Sequence, residues 1–266
     1  MDQAGLTLYT FAMSHYSEKV RWALSACRLP FREVVMTPAM HLLPAMRMGG
    51  RGRTTLPILS ELRLNGEVSH IQDSTRILLW LDDRHGPLDI LPQGTQLRGE
   101  CLDIEQRFDA IGRDIARCLY ADAFDDDAHV LGLWTQHASP LQARMLGYLY
   151  PLIKLGTRLR LDTSRIRVAR SVQRIQQALA WLEGRISDGR LYLVGSRLTV
   201  ADITAAALLA PLACPHQHPV FGTADYVERF RSRGGPLRLD RPAMVWVRKL
   251  YDLHRGALEL PLPRAA

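Results

Sequence analysis

Two serines stand at the opening of the first amphipathic segment of the sequence. Ser14 and Ser17 lie in SHYSEKVRWAL (14–24), directly behind the short apolar run LTLYTFA. The apolar residues that follow recur at the spacing of one helix face: Val20, Ala23, Leu24 and Cys27. A hydroxyl at a helix N-terminus can cap the helix, or donate a hydrogen bond to an anion that the helix dipole favours. The sequence leaves both roles open for these serines.

A second polar pair opens a later helix. Asp73 and Ser74 lie in HIQDSTRILLWLD, at the start of a predicted helix over 73–83. Asp73 is well suited to cap that helix. A carboxylate and a hydroxyl at a helix N-terminus also suit the two charged ends of an amino acid, because the acid attracts an ammonium and the helix dipole favours a carboxylate.

The order of predicted elements places these residues in a small α/β layer. The first 84 residues read strand, helix, strand, short helix, two strands and helix, with a hairpin turn at Asn65-Gly66. Residues 85–96 contain Pro, Gly and His and are predicted to be a linker. Apolar stripes at helical spacing mark residues 97–266, so this part is predicted to be all-helical.

Charge and cysteine usage exclude several classes of protein. The net charge is +7, but the basic residues are scattered and mostly Arg, so no nucleic-acid partner is expected. The four cysteines form no CxxC pair, which predicts a reducing compartment without a disulfide framework. No metal site is expected, since CPHQHP (214–219) lacks a fourth ligand and the usual spacing.

Hydropathy predicts a cytoplasmic protein without a membrane partner. The N-terminus shows no secretory signal, and the longest nearly apolar run, ITAAALLAPLAC, is too short for a membrane span. The apolar segment MLGYLYPLIKLG (145–156) contains Pro151 and is also short. A membrane-facing helix is one alternative for this segment, but it is predicted to be a buried helix or the wall of a pocket.

Four stretches together resemble the glutathione transferase superfamily, over nearly the whole chain. SHYSEKVRWAL is similar to the helix openings of its serine- and cysteine-type members, and TTLPIL (54–59) resembles the strand whose proline is cis. HIQDSTRILLWLD resembles the acidic-Ser helix start of the first domain, and YLVGSRLTVADITAAALL (192–209) the capped core helix of the second. The resemblance implies an N-terminal thioredoxin-like α/β domain followed by an all-helical C-terminal domain.

The resemblance implies a catalytic role for Ser14. A free thiol has a pKa near 8.5 and its thiolate is the nucleophile, so a hydroxyl that donates to the sulfur beside a helix N-terminus favours the reactive form. The resemblance also implies that Asp73 and Ser74 bind the γ-glutamyl end of glutathione, and that Ser17 contacts glutathione. Since neither position 14 nor 17 is a cysteine, a mixed disulfide cannot form there.

Further residues take their expected roles from the same resemblance. Leu56, held by a cis bond to Pro57, is expected to pair its backbone with the cysteinyl backbone of glutathione, as an added strand would. Arg53 is expected to add a contact to a carboxylate. Thr199 and Asp202 match a capping box, whose role is folding rather than chemistry.

The leading prediction is an enzyme that adds the thiolate of glutathione, its co-substrate, to electrophilic apolar small molecules. Phe108, Ile111 and Tyr120 lie on a predicted helix that could line the second-substrate site, and packing explains Phe108 and Ile111 equally well. One alternative is a non-catalytic glutathione-binding or protein-interaction member, since a fold does not fix a function. Another is a specialised glutathione-dependent dehalogenase, ether-cleaving enzyme or isomerase. The family also implies a homodimer.

Overall fold

A four-stranded mixed sheet forms the N-terminal part of the protein. The computed structural model describes residues 5–49, 54–233 and 237–256. The strands lie in the spatial order β2-β1-β3-β4, with β1 parallel to β2 and antiparallel to β3, and β3 antiparallel to β4. Their bounds are β1 Gly5–Thr10, β2 Phe31–Val35, β3 Ile58–Leu62 and β4 Val68–Gln72. The predicted hairpin is confirmed, with Gly66 at φ +83°, where a glycine is favoured.

Three helices complete this layer: α1 His15–Ala26, α2 Leu42–Gly49 and α3 Ser74–His85. Helix α1 connects the parallel strands β1 and β2, a connection that antiparallel strands do not need. Leu8 of β1 and Leu59 of β3 face each other in register, and both are fully buried. The predicted thioredoxin-like arrangement of strands and helices is confirmed.

The rest of the described chain is helical, as predicted. Every residue of helix α8 is buried, and α8 packs against α4 and α10. This explains why its sequence is apolar all round rather than on one stripe. The bounds are α4 Thr95–Ala123, α5 Asp127–Thr135, α6 Pro140–Leu161, α7 Arg165–Arg185, α8 Val200–Ala213, α9 Ala224–Arg233 and α10 Pro242–Leu250, followed by a π-helical turn, Tyr251–Arg255.

The predicted capping box opens α8. Asp202 accepts hydrogen bonds from the backbone N–H of Thr199 at 2.8 Å, from the Thr199 hydroxyl at 2.8 Å and from the backbone N–H of Leu193 at 2.7 Å. Burial raises the pKa of the Asp202 carboxyl to about 6, although these bonds favour its charged form. Thr199 and Asp202 therefore join the preceding loop to the first turn of the core helix.

The contacts divide the chain into two compact units. One unit contains the described residues up to Leu88 together with Asp126–Lys154, and the other contains Asp89–Asp125 and the described residues from Leu155 onward. The division of the sequence into 1–84, a linker at 85–96 and 97–266 stays a prediction. The unit that contains the sheet also contains α5 and most of α6.

None of the four cysteines forms a disulfide. Cys101, Cys118 and Cys214 are buried, whereas Cys27 at the end of α1 is partly exposed. Burial raises the pKa of the Cys118 thiol to about 11 and that of Cys214 to about 12. These two thiols therefore stay protonated near neutral pH.

Helix α6 differs from the expectation for residues 145–156. Only Leu146 and Tyr150 of this helix are buried, while Tyr148 and Leu152 are 76% and 69% exposed. The prediction of a buried helix is therefore wrong, that of a pocket wall stays a prediction, and the helix continues through Pro151. Among the described residues, no helix combines the length and apolarity that a membrane span requires.

Candidate functional site

The turn between β1 and α1 presents Ser14. The Ser14 N–H donates to the Phe11 carbonyl at 3.1 Å, and the Ser14 Oγ accepts from the Ser17 N–H at 3.1 Å. Ser14 is thus the N-cap of α1, with φ −84° and ψ 112°. A hydroxyl that accepts one bond still carries its own hydrogen for donation. Capping the helix and donating to a ligand are therefore compatible roles for this side chain.

Ser17 lies in a different environment, one turn into the helix. Its side chain is fully buried, and its hydroxyl has no hydrogen-bond partner among the described residues. Its backbone N–H, by contrast, supports the cap formed by Ser14. A contact between the Ser17 side chain and glutathione stays a prediction, because the hydroxyl does not reach the surface in this structure.

A buried charged cluster fixes the Ser14 turn from inside the unit. Arg21 donates to Glu18 at 3.1 Å and to Glu33 at 2.6 Å, and Thr10 donates to Glu33 at 2.5 Å. Arg21 also donates to the Phe11 carbonyl at 3.2 Å, which is where the turn begins. This cluster was not predicted from the sequence. Its one local signal is the i, i+3 spacing of Glu18 and Arg21, which places them on one helix face.

Asp73 forms the second helix start. Its Oδ1 accepts from the Arg76 N–H at 3.0 Å, which confirms the predicted cap of α3. Asp73 adopts φ +90°, a conformation that costs a non-glycine residue of the order of 1–3 kcal/mol and is often found at functional sites. Its side chain is exposed, whereas Ser74, the first residue of α3, is buried.

Leu56 and Pro57 lie just before β3, joined by the expected cis bond. The Leu56 side chain packs against Ala45 and Ile58, so it belongs to the core. Its backbone makes no hydrogen bond to another described residue. Its N–H and C=O are therefore available for pairing with an extended ligand.

Gln72 connects the Leu56 segment to the Asp73 cap. Its Nε2 donates to the Thr55 carbonyl at 2.5 Å and to the Thr55 hydroxyl at 3.2 Å. Gln72 is the last residue of β4, so this amide joins the residue before Leu56 to the residue before Asp73. Gln72 could not be predicted from the sequence, since only the folded sheet brings it to Thr55.

A small cavity adjoins the Ser14 turn. Its volume is about 20 Å³, enough for a single water molecule. Its walls include Phe11 and Met13 of the turn together with Trp134 and His137 from the region of α5. These two wall residues were not predicted, because the sequence around α5 contains no recognisable motif.

The residues expected to line the second-substrate site lie on α4, in the other compact unit, and that role stays a prediction. Phe108 and Ile111 are buried within α4, and Phe108 contacts Trp181 of α7 with ring centroids 6.0 Å apart. Packing accounts for both. Tyr120, near the end of α4, contacts Phe124 at 5.3 Å.

Arg53 lies outside the described residues, so its expected role stays a prediction. In the part of the chain that the structure describes, no group of three His, Cys, Asp or Glu side chains could hold a metal ion. In the CPHQHP loop, the buried His218 instead accepts the backbone N–H groups of Val220 and Phe221 through its Nδ1.

Solved structures with a similar fold cover nearly the whole chain. A glutathione S-transferase from Methylobacterium radiotolerans in complex with glutathione sulfonate is 20% identical, with a TM-score of 0.59 over 98% of this chain and 99% of that one. A Methylobacillus flagellatus glutathione S-transferase with glutathione bound is 14% identical (TM-score 0.56, 91% and 98%). The β-etherase LigF from Sphingobium sp. is 20% identical (TM-score 0.56, 92% and 98%). These similarities show the fold.

Family models match both parts of the sequence. The model for the glutathione S-transferase N-terminal domain matches residues 8–89, and the model for the C-terminal domain matches residues 166–243. No curated protein sequence in the comparison matches the chain. The two family matches occur in the expected order and together span more than half of the sequence, so the chain belongs to the glutathione S-transferase superfamily.

Proposed function

We propose that this protein binds reduced glutathione and adds its thiolate to an electrophilic apolar small molecule. The main support for this proposal is the Ser14 hydroxyl. It accepts the Ser17 N–H at 3.1 Å, which leaves its own hydrogen for a ligand, and it stands at the N-terminus of the 12-residue helix α1. A hydroxyl donor and a helix dipole at one point both favour a sulfur anion.

Three further groups would hold the peptide part of glutathione. The backbone of Leu56, which makes no hydrogen bond to another described residue, suits the cysteinyl residue. The exposed carboxylate of Asp73 suits the γ-glutamyl ammonium, and the N-terminus of α3 at Ser74 suits the neighbouring carboxylate. The glutathione and glutathione sulfonate bound to two proteins of the same fold support this assignment.

In the proposed reaction, the thiol of glutathione releases its proton to solvent and Ser14 keeps its own. The Ser14 O–H donates a hydrogen bond to the sulfur, which lowers the pKa of the bound thiol and raises the fraction of thiolate at neutral pH. The sulfur then forms a bond to the electrophilic carbon, and the electron pair leaves with the displaced group or moves onto the acceptor.

Calorimetric titration with reduced glutathione tests the binding site. Asp73→Asn keeps an oxygen that can cap α3 and tolerates the positive φ, but it removes the negative charge. We expect this substitution to weaken glutathione binding about tenfold, the loss typical of a charge-assisted hydrogen bond. Asp83→Asn, at an exposed position on the same helix, is the matched control and should bind as the wild type does.

Failure of the wild type to bind millimolar glutathione would contradict the proposal. Equal affinities of the wild type and Asp73→Asn would remove Asp73 from the site.

A second candidate function is glutathione binding without catalysis. The cavity that the described residues form beside the Ser14 turn has room for one water molecule but not for an electrophile. Turnover of an electrophile panel that includes haloalkanes, aryl halides and β-aryl ethers separates the two functions. The β-etherase of similar fold is the reason for including the ethers. Binding of glutathione without any turnover would favour the second candidate.

The proposal also includes the oligomeric state and the cellular compartment of the protein. A homodimer in a reducing cytoplasm would fit an enzyme of this family, and four cysteines without a disulfide are compatible with such a compartment. Light scattering tests the dimer, since a monomer mass at working concentration would contradict it.

A further inference from the structure

Helix α6 carries a line of exposed apolar side chains, which we name the apolar ridge. Successive members are four or three residues apart, a spacing that places them on one face of the helix. Each is between 45% and 76% exposed. The opposite face holds Leu146 and Tyr150, both buried. The ridge consists of Leu141, Met145, Tyr148, Leu152, Leu155 and Leu159.

The helix that presents the ridge is fixed at both ends. At its start, the Gln142 side chain accepts from the Ser139 N–H at 3.0 Å and from the Thr37 hydroxyl at 3.3 Å. At its end, Arg113 donates to the carbonyl of Arg160 at 2.7 Å, and Arg117 donates to that of Leu161 at 2.5 Å. These bonds satisfy carbonyls that a helix C-terminus leaves unpaired. The apolar side chains are therefore exposed on an ordered helix.

The charge along α6 has one sign. Residues 140–161 contain no Asp or Glu. Arg144, Arg158 and Arg160 are exposed. At 100° per residue, Arg144 and Arg158 lie on one side of the ridge and Arg160 on the other. Lys154 is paired with Asp127 of α5 at 2.6 Å. The ridge is thus an apolar stripe between basic flanks.

The exposed apolar ridge and the arginines beside it together indicate which kind of partner fits. Six exposed apolar side chains in one line exceed the scattered apolar residues that a soluble surface normally shows. Packing of the ridge against the α6 ridge of a second copy would bring arginines towards arginines, with no acid on that helix to compensate. An anionic bilayer accepts both features, because leucines enter the acyl boundary while guanidinium groups bind phosphates.

We propose that the apolar ridge is a docking surface for an anionic lipid bilayer, on which α6 lies in the plane of the interface. Tyr148, with an apolar ring and a polar hydroxyl, suits that interface. The helix lies between the segments matched by the two family models, 8–89 and 166–243. The proposal departs from the sequence-based expectation of no membrane partner and is independent of the proposed function.

Co-sedimentation of the purified full chain with vesicles tests the proposal. One set contains phosphatidylcholine alone, and the other contains phosphatidylcholine mixed with phosphatidylglycerol. We expect binding to the anionic vesicles only, with a loss at high salt because charge contributes to it. Leu152→Ser should lower the partition coefficient about tenfold, the loss expected for one inserted leucine. Arg144→Gln should lower it about fivefold.

Matched controls separate the ridge from general surface effects. Leu64→Ser replaces a leucine that is 92% exposed in the β3–β4 hairpin, and Arg32→Gln replaces an exposed arginine of β2. Both controls should bind as the wild type does, and circular dichroism confirms that all four variants are folded. These exposed positions should tolerate the changes with little loss of stability.

Three outcomes would overturn the proposal. The first is a wild type that does not bind anionic vesicles, and the second is a Leu152→Ser variant that binds as well as the wild type. In the third, light scattering shows a wild-type dimer that Leu152→Ser converts to a monomer while no vesicles are bound. That result would assign the ridge to self-association.

Discussion

Arg21 and Ser14 share one acceptor, the carbonyl oxygen of Phe11. The Arg21 Nη2 donates to it at 3.2 Å and the Ser14 N–H donates to it at 3.1 Å. The position of the Ser14 hydroxyl, which is proposed to activate the thiol, thus depends on the fully buried Arg21 guanidinium, which a bound ligand would not contact. Sequence motifs locate the serine, but the buried arginine orients it.

Replacement of Arg21 by Met should lower the free energy of unfolding by about 3–5 kcal/mol, because Glu18 and Glu33 would lose their buried counter-charge. Urea denaturation monitored by fluorescence measures the change. Arg32→Met, at an exposed position of β2, should alter it by less than about 0.5 kcal/mol. A loss for Arg21→Met that is no larger than that of the control would contradict the structural role of the cluster.

Substitution of Ser14 by Ala should lower kcat/KM for glutathione conjugation about 10- to 100-fold, the range expected for a lost hydrogen bond to an anion. The pKa of the bound thiol, followed by the ultraviolet absorbance of the thiolate, should rise in the variant. Ser14→Thr keeps both the cap and the donor and should restore most of the activity. A thiol pKa that is the same in wild type and Ser14→Ala would exclude the donor role.

Gln72→Met should weaken glutathione binding without changing kcat. The substitution removes the amide that donates to Thr55 and so loosens the segment that presents the Leu56 backbone. The KM for glutathione should rise severalfold at constant kcat, since the lost interaction stabilises the ground state and the transition state equally. Gln106→Met, at an exposed position on α4, is the control. A fall in kcat at unchanged KM would argue against this positioning role.

Asp202 should make the stability of the fold depend on pH between about 4 and 6. Its pKa is raised to about 6 in the folded protein from an ordinary 3.8, so the folded state binds the proton more tightly than the unfolded state does. The contribution of Asp202 to stability therefore falls as pH rises through this window, by about 3 kcal/mol in total, and is constant above it.

The difference in unfolding free energy between wild type and Asp202→Asn isolates this effect, because other groups titrate equally in both proteins. Urea denaturation at pH 4, 5, 6 and 7 should show the wild type losing its advantage with rising pH. A difference that grows with pH would mean that the hydrogen bonds from Leu193 and Thr199 outweigh burial at this carboxyl.

Local patterns in the sequence predicted the elements that carry their own signals. The β3–β4 hairpin follows from Asn65-Gly66, and the starts of α3 and α8 follow from Asp73 and from the Thr199–Asp202 box. Each of these signals acts within a few residues, where turn and capping chemistry decides the backbone conformation.

Residues whose roles depend on distant partners could not be predicted in the same way. Gln72 and Thr55 are 17 positions apart, and only the pairing of β3 with β4 brings them together. The exposure of Tyr148 was also missed, because an apolar stripe at helical spacing looks the same whether it faces a core or the outside. Tertiary packing determines both outcomes.

The burial of the cysteines has a consequence for the proposed reaction with electrophiles. Cys118 and Cys214 keep their protons at neutral pH, and Cys101 is fully enclosed, with a pKa also raised by burial. Such thiols compete poorly with a bound thiolate for an electrophile. The protein would therefore resist self-alkylation by its own substrates, and the partly exposed Cys27 would be the position where adducts accumulate first.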